Sequence, residues 1–360
     1  MSKPHIHLFI PGPIEVMPAT YEAMSRPMID HRSVEFVALY KKLQPQLKKL
    51  FFTQNPVYLM TCSSFGAMEA SIRNITSKKA LFLVNGAWSE KWFDTAAACG
   101  KTAERLVWEW GQPIDPAAVE KKLNEGGFDA VFFVSSETST GVFSNINELM
   151  RVIRKFPEVI SAVDTVSSFT TQPIHQDELG IDIMLSGTQK ALALPPGLAL
   201  ISVSARALER AKTIPHHGTY LDLLNYQKFH EQHQTPNTPA ISLIHALDYR
   251  CDQIEKEGLE NRYARHQAMH AHVVQWCESR GFPLFPPAGY DSVSVVCARN
   301  ARNIDLEALN DKLRKDHHMM INTGYGKLKG KTFRISTMGD ESVESLKGLT
   351  NNLDKVLGSL

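Results

Sequence analysis

The run Ala130-Val131-Phe132-Phe133-Val134 has no polar position to turn toward solvent, so as a strand it must be covered on both faces. Comparable apolar runs occur at 57–61, 81–84, 159–163, 181–186 and 198–203. Between several of them lie amphipathic stretches, at 69–75, 89–98, 116–123 and 146–156, whose apolar residues recur at helical spacing. Short buried strands alternating with helices predict an α/β chain built around a mainly parallel sheet. A chain of 360 residues also exceeds what one core usually serves, so a second, smaller part is expected. The texture changes after about residue 240. A helical pattern rich in Arg, His and Glu runs from Pro239 through the 270s with a break expected near Gly258. Pro283, Pro286, Pro287 and Gly289 mark a loop beyond it. The expected organisation is an N-terminal segment (1–20) lying across the other parts, a large domain (21–255) and a smaller α+β C-terminal domain (256–360). Ser33 is positioned to cap a helix carrying Phe36, Tyr40, Leu43, Leu47 and Leu50, with a kink or break expected at Pro45.

Composition excludes several classes. Hydrophobic residues at 43% and charged residues at 21% are those of a globular chain, not a disordered one. Lys+Arg at 39 against Asp+Glu at 38 provide no basic stripe for nucleic acid. The five cysteines (62, 99, 251, 277, 297) are scattered and form no C-x-x-C pair, which argues against a disulfide framework or zinc site. No apolar stretch reaches membrane-spanning length and no secretory leader is recognised, so the expectation is a soluble, cytoplasmic protein. The pairs His216-His217 and His317-His318 lack a carboxylate at ligand spacing, and no metal is expected. Gly324-Tyr325-Gly326 misses dinucleotide-binding spacing, and no G-x-S-x-G elbow occurs.

What remains is a set of polar residues at the ends of the apolar runs, where open α/β sheets gather their ligands. Ser63-Ser64-Phe65-Gly66 follows the first run; Ser135-Ser136-Glu137-Thr138-Ser139-Thr140-Gly141 follows 130–134. Asp164 closes the run at 159–163, and Ser186-Gly187-Thr188-Gln189-Lys190 closes the run at 181–185. Thr138, Asp164 and Lys190 succeed one another at equal intervals. Pyridoxal phosphate requires such a set. A lysine of lowered pKa must attack its aldehyde, a carboxylate must pair with the ring nitrogen, and a helix N-terminus with hydroxyls must hold the phosphate. Lys190, Asp164 and the turn at 63–66 can meet those three needs.

Ser186-Gly187-Thr188-Gln189-Lys190-Ala191-Leu192, followed by Pro195-Pro196-Gly197-Leu198, resembles the cofactor-lysine motif of class V aminotransferases, closest to the alanine–glyoxylate and serine–pyruvate group. Pro11-Gly12-Pro13, Asn85-Gly86-Ala87-Trp88, Glu137-Thr138-Ser139-Thr140-Gly141-Val142, Val163-Asp164-Thr165 and Gly330-Lys331-Thr332-Phe333-Arg334-Ile335 agree in order. The resemblance spans almost the whole chain. It implies a fold-type I pyridoxal-phosphate-dependent transferase, a homodimer with shared active sites at the subunit boundary. It makes Lys190 the Schiff-base lysine and proton carrier, Asp164 the partner of the ring nitrogen, and Trp88 the cover of one ring face. Thr138 would lie at the phenolic oxygen, Gln189 near the phosphate, and Arg334 on the substrate carboxylate. Thr235 and Thr238, within Gln234-Thr235-Pro236-Asn237-Thr238-Pro239, would reach the phosphate of the neighbouring subunit. One departure stands out: where relatives usually carry Ser-Gly-Thr or Ser-Gly-His, this chain has Ser63-Ser64-Phe65, and Phe65 has no hydroxyl or imidazole to offer, so phosphate binding must lean on backbone N–H groups, Ser63, Ser64 and the neighbouring loop. His31 and Arg32 could receive a second anionic group and so keep 3-phosphoserine open as a donor. The activity implied is amino transfer from a small L-amino acid, alanine or serine, to glyoxylate or pyruvate. The competing readings are phosphoserine transamination, a lyase such as a cysteine desulfurase, and a non-catalytic binder of the cofactor.

Overall fold

A strand with no polar face can only lie between two apolar layers, and the computed structural model, which describes residues 4–359, places six such runs at the centre. With one further strand they form a seven-stranded sheet of β1 (Val57–Met60), β2 (Ala80–Val84), β3 (Ala103–Val107), β4 (Ala130–Val134), β5 (Ile160–Asp164), β6 (Ile183–Gly187) and β7 (Ala199–Val203), in the order β1-β7-β6-β5-β4-β2-β3. From β6 through β3 every pairing is parallel. β7 runs antiparallel to both β1 and β6, matching Ala199 with Met60 on one side and with Gly187 on the other. Alternate residues of β4 enter different cores: Val131 and Phe133 join one apolar layer, Ala130, Phe132 and Val134 the other. Each large side chain so buried contributes about 1.5–3 kcal/mol.

β3 was not expected from the sequence. It is one of the two edge strands, its residues Ala103-Glu104-Arg105-Leu106-Val107 are half-buried or exposed, and its charged positions hide the apolar signal. The break at Pro45 is also corrected: one helix, Val34–Phe51, runs through that proline. Its buried face of Phe36, Tyr40, Leu43, Leu47, Leu50 and Phe51 holds the helix together where proline has no N–H to donate. Ser33 Oγ accepts from Phe36 N at 3.3 Å, as expected of the cap. The long C-terminal helical pattern is divided at Gly258, into Ile241–Glu257 and Leu259–Ser279.

The smaller C-terminal domain pairs β8 (Val295–Arg299) antiparallel with β9 (Thr332–Ser336), covered by the helices Leu259–Ser279, Leu306–His317 and Val343–Leu357. The N-terminal chain joins both regions. His7–Leu8 pairs with Met319–Met320 and Phe9 enters the C-terminal core. Ile14 packs with Ala191, Ala193, Val295 and Met338. Among the described residues no helix is long and apolar enough to cross a membrane.

Candidate active site

The carboxyl ends of β1, β4, β5 and β6 open on one cavity of about 270 Å3. Ser63, Ser64, Phe65, Met68, Trp88, Val134, Ser136, Thr138, Asp164, Val166, Ser167, Gln189 and Lys190 line it. Eight of the residues singled out in the sequence therefore share one space, because parallel strands aim their carboxyl ends the same way.

Asp164 is the last residue of β5. One carboxylate oxygen accepts from Val166 N at 2.7 Å, and among the described residues no hydrogen bond reaches the other. Burial pushes this carboxyl up to about 7; the Val166 N–H and the Lys190 charge offset part of the rise. Lys190 follows β6 in a buried turn, and its Nζ donates to the Pro11 carbonyl. Burial first, and the Arg334 charge second, lower its ammonium to about 8. Gly12 is pressed against this side chain: a Cβ there would stand 2.8 Å from Lys190 Cε. Pro11 and Gly12 were noted in the sequence without a role, and only the fold brings them to the lysine.

The helix Ser64–Ile75 begins at the cavity. Its N-cap, Ser63, makes no side-chain cap bond, while Ser64 Oγ accepts from Gln189 Nε2 at 3.2 Å. Two hydroxyls, an amide and a helix N-terminus with free N–H groups form the polar end. Phe65 and Met68 line the same end as apolar surface. Trp88 stands in the first turn of the helix Ala87–Ala98, its ring stacked on Tyr325 at 5.7 Å between centroids, and its Nε1 is buried without a hydrogen-bond partner among the described residues.

Arg334, from β9, is 4% exposed, and among the described residues its hydrogen bonds reach only neutral oxygens, with the Tyr325 ring centroid 5.5 Å from its guanidinium. Nε and Nη2 donate to Asn322 Oδ1 at 3.0 and 2.8 Å, and Nη1 donates to the Thr138 carbonyl at 2.6 Å. Burial lowers its pKa. A buried guanidinium without a carboxylate partner suits an anionic ligand. Asn322 was not foreseen, since a lone Asn in a loop carries no signal for its partner twelve residues on.

His31 and Arg32 are not among the residues lining the cavity. Arg32 donates to Gln234 Oε1 at 3.2 Å and to the carbonyls of Thr235 and Pro236 at 2.7 and 3.2 Å, and its guanidinium lies 5.0 Å from the Phe229 ring centroid. Its donors are committed to that loop. His31 sits 3.6 Å from Asp30. Thr235 and Thr238 do not line this cavity either; Thr235 is buried and donates to the Asn237 carbonyl.

The donor set fits pyridoxal phosphate. A lysine of lowered pKa and a buried carboxylate with an unused oxygen flank a cavity closed by an indole, with hydroxyls and a helix start at one end. The Aminotransferase class-V family matches residues 16–337. An uncharacterised aminotransferase of Methanocaldococcus jannaschii is 37% identical over 92% of this chain and 87% of its own length. The serine–glyoxylate aminotransferase of Arabidopsis thaliana is 30% identical over 98% of this chain and 90% of its own. The crystal structure of an alanine–glyoxylate aminotransferase from Nostoc sp. superposes with a TM-score of 0.94 at 27% identity, covering 99% of this chain and 96% of that one. The sheet order, the buried lysine facing one cavity with its carboxylate, and these likenesses agree: the chain belongs to the class-V aminotransferases, enzymes of the fold-type I pyridoxal-phosphate-dependent architecture.

Proposed function

We propose that the protein transfers the amino group of a small L-amino acid, alanine or serine, to glyoxylate or pyruvate. The single observation that carries this reading is Lys190 and Asp164 buried on one cavity with Trp88, each with a pKa moved by burial. Bound there, pyridoxal phosphate supplies an aldehyde that captures the donor's amino group and a ring that takes up electrons as the Cα proton leaves. Lys190, its amine uncharged in part at neutral pH, moves that proton, and the Pro11 carbonyl orients the amine when it is free. Asp164 holds the proton on the ring nitrogen, and Trp88 covers a ring face. Ser63, Ser64, Gln189 and the start of the helix Ser64–Ile75 would hold the phosphate, leaning on backbone N–H groups because the Phe65 side chain has no hydroxyl or imidazole. Arg334 takes the substrate carboxylate in place of its bonds to Asn322 and Thr138.

The same proposal includes a cytoplasmic homodimer in which Thr235 and Thr238 complete the neighbour's phosphate site, and a division between the large and small parts near residue 255. The names of the Arabidopsis and Nostoc relatives support the donors and glyoxylate. Phosphoserine has less support, because Arg32 is already engaged. The test is a panel of amino donors, phosphoserine included, each followed as spectral conversion of the bound cofactor to its pyridoxamine form. Alanine or serine should convert fastest. Conversion by none, or release of sulfide from cysteine without an oxo-acid acceptor, overturns the reading.

A further inference from the structure

The chain keeps a second buried carboxylate beside the cavity for which the chemistry above has no use. Glu137 is 0% exposed, and among the described residues no Lys, Arg or His forms an ion pair with it. Its oxygens are instead fully committed to neutral donors. Oε2 accepts from Trp88 N and Ser89 N, both at 3.1 Å, and from Ser89 Oγ at 3.2 Å. Oε1 accepts from Ser139 N at 3.2 Å and Ser139 Oγ at 2.7 Å. Ser139 Oγ accepts in turn from Ala87 N at 3.0 Å. Two separate motifs, Asn85-Gly86-Ala87-Trp88 and Glu137-Thr138-Ser139-Thr140-Gly141, are thus tied at one carboxylate.

The fit around this carboxylate leaves no slack. Gly86 has an extended backbone that any residue could adopt, yet a Cβ there would stand 2.2 Å from Glu137 Cγ and 2.8 Å from Ser139 Oγ. The glycine is required by contact and not by torsion. The backbone of Glu137 also builds the turn that follows, its carbonyl accepting from Thr140 N at 3.1 Å and Gly141 N at 2.8 Å. The next residue, Thr138, lines the cavity and receives Arg334 through its carbonyl. Trp88, whose N–H ends on Glu137, lines the same cavity.

We propose that Glu137 is a positioning residue for the active site, its carboxylate fixing Trp88 against the Thr138 turn and so setting the ring-stacking indole in register with the arginine that receives the substrate. This rests on the reading that pyridoxal phosphate occupies the cavity. A negative charge at the first turn of the helix Ala87–Ala98 would also stabilise that helix alone, so the two roles must be separated. A double-mutant cycle does so: the dissociation constant of pyridoxal phosphate is measured for the full chain carrying Glu137→Gln, Trp88→Phe, or both, beside the melting temperature of each. Glu137→Gln keeps the shape but puts an NH2 group against N–H donors, and should weaken the cofactor about tenfold. If Glu137 acts through Trp88, the double variant binds no more weakly than the weaker single variant. Losses that multiply, or wild-type affinity in Glu137→Gln, overturn the proposal and leave a helix cap. Should Glu137→Gln not fold, Ser139→Ala removes the shorter of the two Oε1 bonds and the Ala87 tie and is put through the same cycle with Trp88→Phe. Non-multiplying losses then support the proposal, and multiplying losses or unchanged affinity overturn it. Failure of the wild-type chain to bind pyridoxal phosphate would instead remove the functional reading beneath it.

Discussion

The rim of the large sheet and the loop around residues 234–238 both hold residues that family resemblance would send to a cofactor, but they are built differently. At the rim, Asp164, Lys190, Trp88 and Thr138 come from four separate stretches and meet in one cavity of a single chain. Around the loop, Arg32 spends its guanidinium on the carbonyls of Thr235 and Pro236 and is not among the residues lining that cavity. The first region is held by strands whose burial leaves no choice of direction. The second is a loop held in shape by Arg32, by Thr235 Oγ1 on the Asn237 carbonyl and by Gln234 N on the Phe229 carbonyl, with Thr238 exposed. Charge follows the same division: burial moves the pKa values of Asp164 and Lys190 far from their ordinary ranges.

The comparison can be broken first at Lys190. Lys190→Ala should cut transamination by about 10^4-fold or more while the chain still folds, as read by turnover and circular dichroism. Residual turnover within tenfold of wild type would show that the rim is not the reacting centre. Next comes Arg334→Lys, which keeps charge but loses the fork. It should lower kcat/KM for alanine on the order of 100-fold, mostly through KM, with cofactor binding unchanged. An unaltered KM would place the substrate carboxylate elsewhere.

The lowered pKa of Lys190 predicts a pH dependence of cofactor capture by the cofactor-free protein. The amine attacks only when uncharged, so the second-order rate should rise through about pH 8, gaining about tenfold between pH 7 and 9. A rate that rises about 100-fold between pH 7 and 9 and levels off only above pH 10 would mean an exposed lysine. The smallest effect is expected at the loop. Arg32→Ala should weaken pyridoxal phosphate several-fold and depress turnover of alanine and phosphoserine alike. Selective loss of the phosphorylated donor would return Arg32 to the substrate site and blur the contrast between the two regions.

Legibility followed burial. Six strands could be read because each is buried and mainly apolar, while the edge strand β3 escaped because it carries Glu104 and Arg105 at half-buried and exposed positions. The lysine and its carboxylate were legible because both sit at the ends of such strands. Asn322, the Pro11 carbonyl and the tie from Glu137 to Trp88 were not. Their meaning lies in partners far along the chain, and a backbone carbonyl has no signature in a sequence at all. Pro45 misled in the opposite sense: a local rule predicted a break, and the buried face of the helix overrode it.

From residues alone came the α/β alternation, the cofactor chemistry implied by Lys190 with Asp164, and the glycines and prolines of the motifs. These depend on local pattern and on the kind of group each side chain carries. Tertiary structure decided which groups touch: that Arg334 lacks a carboxylate partner, that Arg32 is engaged with a loop, and that Glu137 joins two motifs. Contact between distant segments is settled by packing of the whole chain, in which a buried polar group must find whatever partner the surrounding layers bring to it.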